Sequence, residues 1–181
     1  MKAIPALLIL CCASVAVWSG AATGKTKTAE QAPYKLKIAL PAGFAADDDP
    51  FMTRVAYYVF TDENGDALGS KGNIRFLKRP HAAAPMTQAD RAALLNTELA
   101  DLRGSHEGYG ESPSYELEAK QLTYTCADWQ GSSFGSDFAG FVCVAAFEGK
   151  PILVEAQDLA ANQATTLPQL KDSLKAATYA K

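Results

Sequence analysis

The sequence predicts an α+β domain, an antiparallel β-sheet with two helices packed on it in the order β-β-β-α-β-β-β-α. Three observations lead there. Runs of branched and aromatic residues at period two recur between residues 34 and 156. The period shifts to that of a helix in only two places, residues 87–103 and 166–177. Turn residues, and not further helices, separate most strand runs, so neighbouring strands reverse direction.

An N-terminal segment of another kind precedes these elements. Lys2 supplies one positive charge, and residues 3–18 then carry none and are mostly apolar. A charge followed by a short apolar run is the pattern of a secretory signal. A bilayer-spanning helix needs about 20 apolar residues, and this run breaks earlier, at Ser19-Gly20, which argues against a retained anchor. Cleavage after Ala21 or Ala22 places a small residue in both recognition positions. Lipidation at Cys12 is the weaker reading, because Leu10-Cys11 precede it and the apolar run continues to Trp18. The expected organisation is a signal peptide at 1–22, a disordered tether at 23–33 that lacks apolar periodicity, and a single domain at 34–181. No transmembrane anchor is expected after cleavage.

Within the domain, the first strand alternates Tyr34, Leu36, Ile38 and Leu40 with polar or small residues and ends at Pro41-Ala42-Gly43. A loop carrying Asp47, Asp48 and Asp49 leads to residues 53–60, where both alternating sets are apolar, as in a strand covered on two faces. Asn64-Gly65 favours a hairpin turn, residues 73–78 supply the third strand, and Pro80 stops it. In the first helix Ala92, Leu95, Leu99 and Leu102 share a face, Thr87 and Asp90 have capping-box spacing, and Gly104 is expected to close the far end.

The glycine-rich stretch 104–113 reads as a long loop. Beyond it Tyr115, Leu117 and Ala119 alternate in one phase and Leu122, Tyr124 and Cys126 in the other, which predicts a bulge or bend near Lys120-Gln121. Two more strands follow, around Cys143 and over residues 151–156, joined by a tight turn at Glu148-Gly149-Lys150. In the last helix Leu167, Leu170, Leu174 and Ala177 recur on one face, with Pro168 in the first turn.

Once the signal is removed, Cys126 and Cys143 are the remaining cysteines, in a compartment where thiols oxidise. Both sit in β-type runs, and residues 130–136 between them are turn-forming, with a centre equidistant from the two. A hairpin therefore sets them opposite one another, where β-carbons approach to about 4.5–5.5 Å, near disulfide separation. The chain-entropy model gives such a staple about 3 kcal/mol. Redox-active pairs typically show a CxxC spacing or nearby positive charge, and neither is present, so the disulfide is read as structural.

The opening Tyr34-Lys35-Leu36-Lys37-Ile38-Ala39-Leu40-Pro41-Ala42-Gly43-Phe44, a strand running into Leu-Pro-x-Gly-aromatic, resembles the start of PsbP-like and DcrB-like domains. The closing hairpin and the helix over residues 167–177 are similar in order to the end of that α/β/α sandwich. The resemblance implies a non-enzymatic accessory or binding protein and carries over no site residue.

Composition excludes some chemistry. A net charge of −3 with scattered lysines and arginines argues against nucleic acid and against an anionic membrane face. Asp62, Asn64 and Asp66 match the first ligands of a calcium loop, but Ala67 stands where glycine is needed and Asn73 where glutamate is, so no metal is assigned. Asp47-Asp48-Asp49 reads as a solvated run. His81 and His106 lie in expected loops, no G-x-S-x-G is present, and Gly69-Ser70-Lys71-Gly72 lacks phosphate-loop spacing, so no catalytic residue and no cofactor are assigned.

The expectation is an exported, periplasmic or secreted, non-enzymatic module that meets an envelope protein through aromatic residues at loop tips. Tyr109 in the glycine-rich loop, and Trp129 and Phe134 in the turn between the cysteines, are the candidate contacts. The alternatives are a periplasmic hydrolase assembled from dispersed acids and His106, and an immunity protein against a periplasm-delivered toxin. Oligomeric state is not legible.

Overall fold

The runs around the two cysteines pair as the long hairpin at the centre of the fold. A computed structural model describes residues 27–31, 36–41, 44–47, 54–60, 72–77 and 86–179. In chain order the elements are β1 (Lys27–Gln31), β2 (Leu36–Leu40), β3 (Phe44–Asp47), β4 (Arg54–Phe60), β5 (Gly72–Leu77), α1 (Gln88–Ser105), β6 (Glu107–Glu111) and β7 (Tyr115–Glu118). There follow β8 (Thr123–Ser133), β9 (Ser136–Phe147), β10 (Lys150–Leu159), a 3₁₀ turn (Ala160–Asn162), α2 (Gln163–Ala176) and β11 (Thr178–Tyr179). The α+β class, the antiparallel pairing and the two helices are as the sequence predicts; the strands outnumber the expected six.

One large sheet runs β3-β4-β5-β10-β9-β8-β6, with β7 also on β8, and a small sheet runs β1-β2-β11. The expected meander is β8-β9-β10. Its two turns each take two residues, Phe134-Gly135 and Glu148-Gly149, all at positive φ. Such turns match the right-handed twist of the flanking strands.

Strand alternation divides the core into two layers. On one face Leu95, Leu99 and Leu102 of α1 pack on Ala127, Trp129, Val142, Val144 and Leu153. On the other, Leu167, Leu170 and Leu174 of α2 lie in the cluster that holds Tyr124, Cys126, Phe141, Cys143 and Ile152. Ile38 of β2 and Tyr179 of β11 join that second layer, so the small sheet closes onto the α2 side. There the Tyr124 and Tyr179 hydroxyls share a buried hydrogen bond of 2.5 Å.

Local departures from the sequence reading have identifiable causes. Lys27–Gln31, placed in the expected tether, pairs residue by residue with β2, because strand pairing needs a backbone edge and not an apolar period. The stretch 104–113, read as a loop, contains β6, an edge strand with a register shift between Glu107 and Gly110 and Gly108 at φ +59. A glycine-bearing bulge of this kind is a common edge-strand device. Of the bulge or bend expected near Lys120-Gln121, the structure has the bend, which reverses the chain between β7 and β8 so that Glu118 pairs with Thr123.

Helix ends differ as well. Thr87 and Asp90 form the expected capping box. Gly104 does not stop α1. The Ser105 hydroxyl donates to the Asp101 and Leu102 carbonyls at 2.9 and 3.2 Å, and the His106 N–H donates to Leu102, satisfying the helix end without a left-handed glycine. Ala92 is exposed, and Glu98 completes the buried stripe instead. α2 begins at Gln163, so Pro168 lies inside the helix. The helix-favouring Ala160-Ala161 and Gln163-Ala164 explain that early start.

Candidate partner-contact surface

Cys126 and Cys143 occupy one register position of the β8–β9 hairpin, with Cα atoms 4.1 Å apart and a disulfide between them. Both are fully buried on the α2 face. The staple therefore fixes a hairpin whose pairing continues to Ser133 and Ser136. Phe134 stands at its tip, at φ +50 and fully exposed, the large hydrophobic side chain among the described residues that packs on nothing.

The other two expected contacts are placed differently. Trp129 is only 3% exposed, because it belongs to β8 and not to the turn, and its indole lies over Gly140 directly across the ladder. A Cβ on Gly140 would come within 2.7 Å of the indole and 2.2 Å of the Ala156 carbonyl. Tyr109 is half-buried and stacks on Trp129 at 6.4 Å. Its hydroxyl donates to Glu111, which also takes the Arg103 guanidinium at 2.8 Å. Arg103, and then Tyr109, hold the Glu111 carboxyl below its ordinary range, while burial and Glu111 raise Tyr109.

His106 sits beside this pair, edge-on to Trp129 at 4.9 Å and to Phe138 at 6.4 Å. A Cβ on Gly131 would fall 2.8 Å from the His106 Cβ, so glycine is required there. Although adjacent residues rarely face each other, Ser105 Oγ and His106 Nδ1 are 3.0 Å apart. Nδ1 is also 3.1 Å from the Leu102 carbonyl. A carbonyl only accepts, so that contact puts the proton on Nδ1 and leaves no lone pair there to activate Ser105.

On the opposite face, Lys171 of α2 reaches both Asp128 oxygens at 2.7 and 2.9 Å, and Tyr115 donates to the same carboxylate at 2.8 Å. The ammonium lies over the Tyr115 and Phe141 rings. Burial, then donation to Asp128, raises the Tyr115 hydroxyl above the tyrosine range. Asp128 borders two clefts, of about 390 Å³ and about 500 Å³, that also share Gln163 and Leu167.

Comparison with solved structures finds this arrangement elsewhere. The solution structure of cyanobacterial PsbP (CyanoP) from Synechocystis superposes with a TM-score of 0.62 at 10% identity, covering 89% of this chain and 96% of that one. The fold is PsbP-like. LpqN of Mycobacterium tuberculosis, described as involved in cell envelope biogenesis, matches with a TM-score of 0.59 at 10% identity over 88% of each chain. No family model and no curated protein matches the sequence.

Within the PsbP-like frame, sequence reasoning located the disulfide and the tip residue and missed the groups joined over long separations. Asp128 and Lys171 lie 43 positions apart, so no local spacing signals them. Among the described residues no group of three or more His, Cys, Asp or Glu side chains is arranged to hold a metal ion, and no helix is long and apolar enough to cross a membrane. The signal segment at 1–22, the calcium-like residues 62–66, His81, Asp48 and Asp49 lie outside the described residues.

Proposed function

We propose that the chain is an exported accessory protein of the cell envelope that acts by binding a partner protein, with Phe134 as the leading contact. The observation that carries this reading is the tip itself. A bare aromatic ring at a left-handed backbone position costs about 1–2 kcal/mol of conformational strain, and no intramolecular packing offsets it among the described residues. The disulfide behind it makes the presentation rigid, which lowers the ordering cost of association. The PsbP-like fold shared with LpqN supports an envelope role, and the apolar leader with small residues at 19–22 supports export.

The alternative in which His106 activates the adjacent Ser105 is disfavoured, since the Nδ1 that faces Ser105 is engaged by a backbone carbonyl. In-cell crosslinking tests the binding reading. A photoreactive phenylalanine analogue at position 134 is expected to give one discrete protein adduct, whereas the same probe at exposed Asn96 on α1 gives none. Absence of a discrete adduct from 134 contradicts the reading, and a toxin as the trapped partner would identify an immunity protein.

A further inference from the structure

We infer that the α2 face of the sheet, between the hairpin tip and α2, is a docking trough for an extended basic segment of the partner; this rests on the reading that Phe134 meets that partner. Register sets Glu107, Ser132 and Asp137 in one row across β6, β8 and β9, and Gly110, Gln130 and Ala139 in the next. Alternation along β8 sends Gln130 and Ser132 to the same side as Cys126, the α2 side. α2 begins at Gln163 and its first buried leucine is Leu167; Ala139 of the inner row is buried in the α2-side cluster, whereas Glu107 and Asp137 of the outer row border neither cleft that α2 lines. Glu107, Gln130 and Asp137 are exposed.

The inner row, Gly110, Gln130 and Ala139, lines the 390 Å³ cleft, whose shared lining at Asp128, Gln163 and Leu167 continues into the 500 Å³ cleft as far as Lys175, and Glu107 and Asp137 lie one row beyond it towards the tip. Four strand residues and twelve helix residues give a path of roughly 30 Å. An extended chain of about nine residues spans that distance.

Chemistry selects the occupant. Gly110 puts no side chain on the floor, so a backbone can lie close there, and Ser112, Gln130 and Gln163 offer side-chain donors and acceptors along it. Charge is unbalanced at one end only. Lys171 and Lys175 are paired with Asp128 and Asp172. Glu107 and Asp137 have no cationic side chain within ion-pair distance among the described residues. A segment entering beside Phe134 therefore brings lysine or arginine to that end.

The photoreactive probe is placed at Gln130 and, separately, at Phe134, in intact cells. Both are expected to trap the same protein, and the peptide recovered from 130 carries Lys or Arg. Combined Glu107→Lys and Asp137→Lys substitution, at exposed positions, lowers the yield from 130 about tenfold without changing the melting temperature. Trapping from 134 alone, a nucleic acid or lipid adduct at 130, or a yield indifferent to the charge reversal overturns the trough and leaves the tip contact standing. No discrete adduct from 134 overturns both.

Discussion

At the tip end of the central hairpin the two faces of the sheet are finished in opposite ways. On the α1 side His106, Tyr109, Trp129 and Phe138 form an aromatic seal that continues the helix's leucine stripe. On the α2 side the alternating positions Gln130 and Asp137 are exposed and Ser132 is half-buried, with burial in the α2 cluster resuming at Ala139. One face is packed to its end and the other stops short. The difference teaches that the hairpin end is held by packing from the α1 side and keeps a polar, partly exposed surface on the other, as antiparallel sheets commonly do.

Substitutions can break each half of that contrast. The largest effect is expected from Gly140→Ala, whose Cβ would meet a backbone carbonyl at 2.2 Å and the Trp129 ring at 2.7 Å. Overpacking against backbone costs about 3 kcal/mol or more, read by denaturant unfolding; a shift under about 1 kcal/mol would mean that the α1 seal is loose. Replacing both cysteines by alanine is expected to cost about 3 kcal/mol and to lower crosslinking from position 134 in parallel. Unchanged crosslinking would show that the tip is held without the staple.

Phe134→Asn tests the opposite sign. Asparagine tolerates the left-handed region, so the variant is expected to gain about 0.5–1 kcal/mol while losing the partner. Loss of stability instead would mean that the ring packs on the protein. The smallest effect is electrostatic. Hydrogen bonds from the Thr87 backbone and side chain lower Asp90 below its ordinary 3.8, and Arg103 lowers Glu111 below 4.5. A depressed carboxylate stabilises above its unfolded value, and that stability is lost as pH falls through the folded one. Arg103→Met, at the edge of the α1 seal, is expected to flatten the fall in melting temperature below about pH 5; an acid limb identical to that of the parent contradicts the assignment.

The meander β8-β9-β10 was legible because each hairpin is local, and its turn centres and alternation lie within one window of sequence. The same symmetry predicted the pairing of Cys126 with Cys143. β1, β3 and β6 were not legible. They are short end strands of their sheets, and what makes them strands is a neighbour's backbone edge that no period of their own records. Trp129 was misplaced for a related reason: Gly131, Ser132 and Ser133 look like turn residues, yet Gly131 is a strand glycine required by His106. Phe134 was legible as an exposed tip residue because the turn takes only two residues and leaves its side chain no core to enter.

Both the staple and the proposed meeting with an envelope partner rest on the chain leaving the cytoplasm and being processed. Intact-mass analysis of the protein isolated from a fractionated cell tests this most directly. The account predicts envelope or extracellular material that lacks the first 21 or 22 residues and is lighter by two hydrogens, with Cys126 and Cys143 joined. A full-length chain with free thiols in the cytosolic fraction would contradict it.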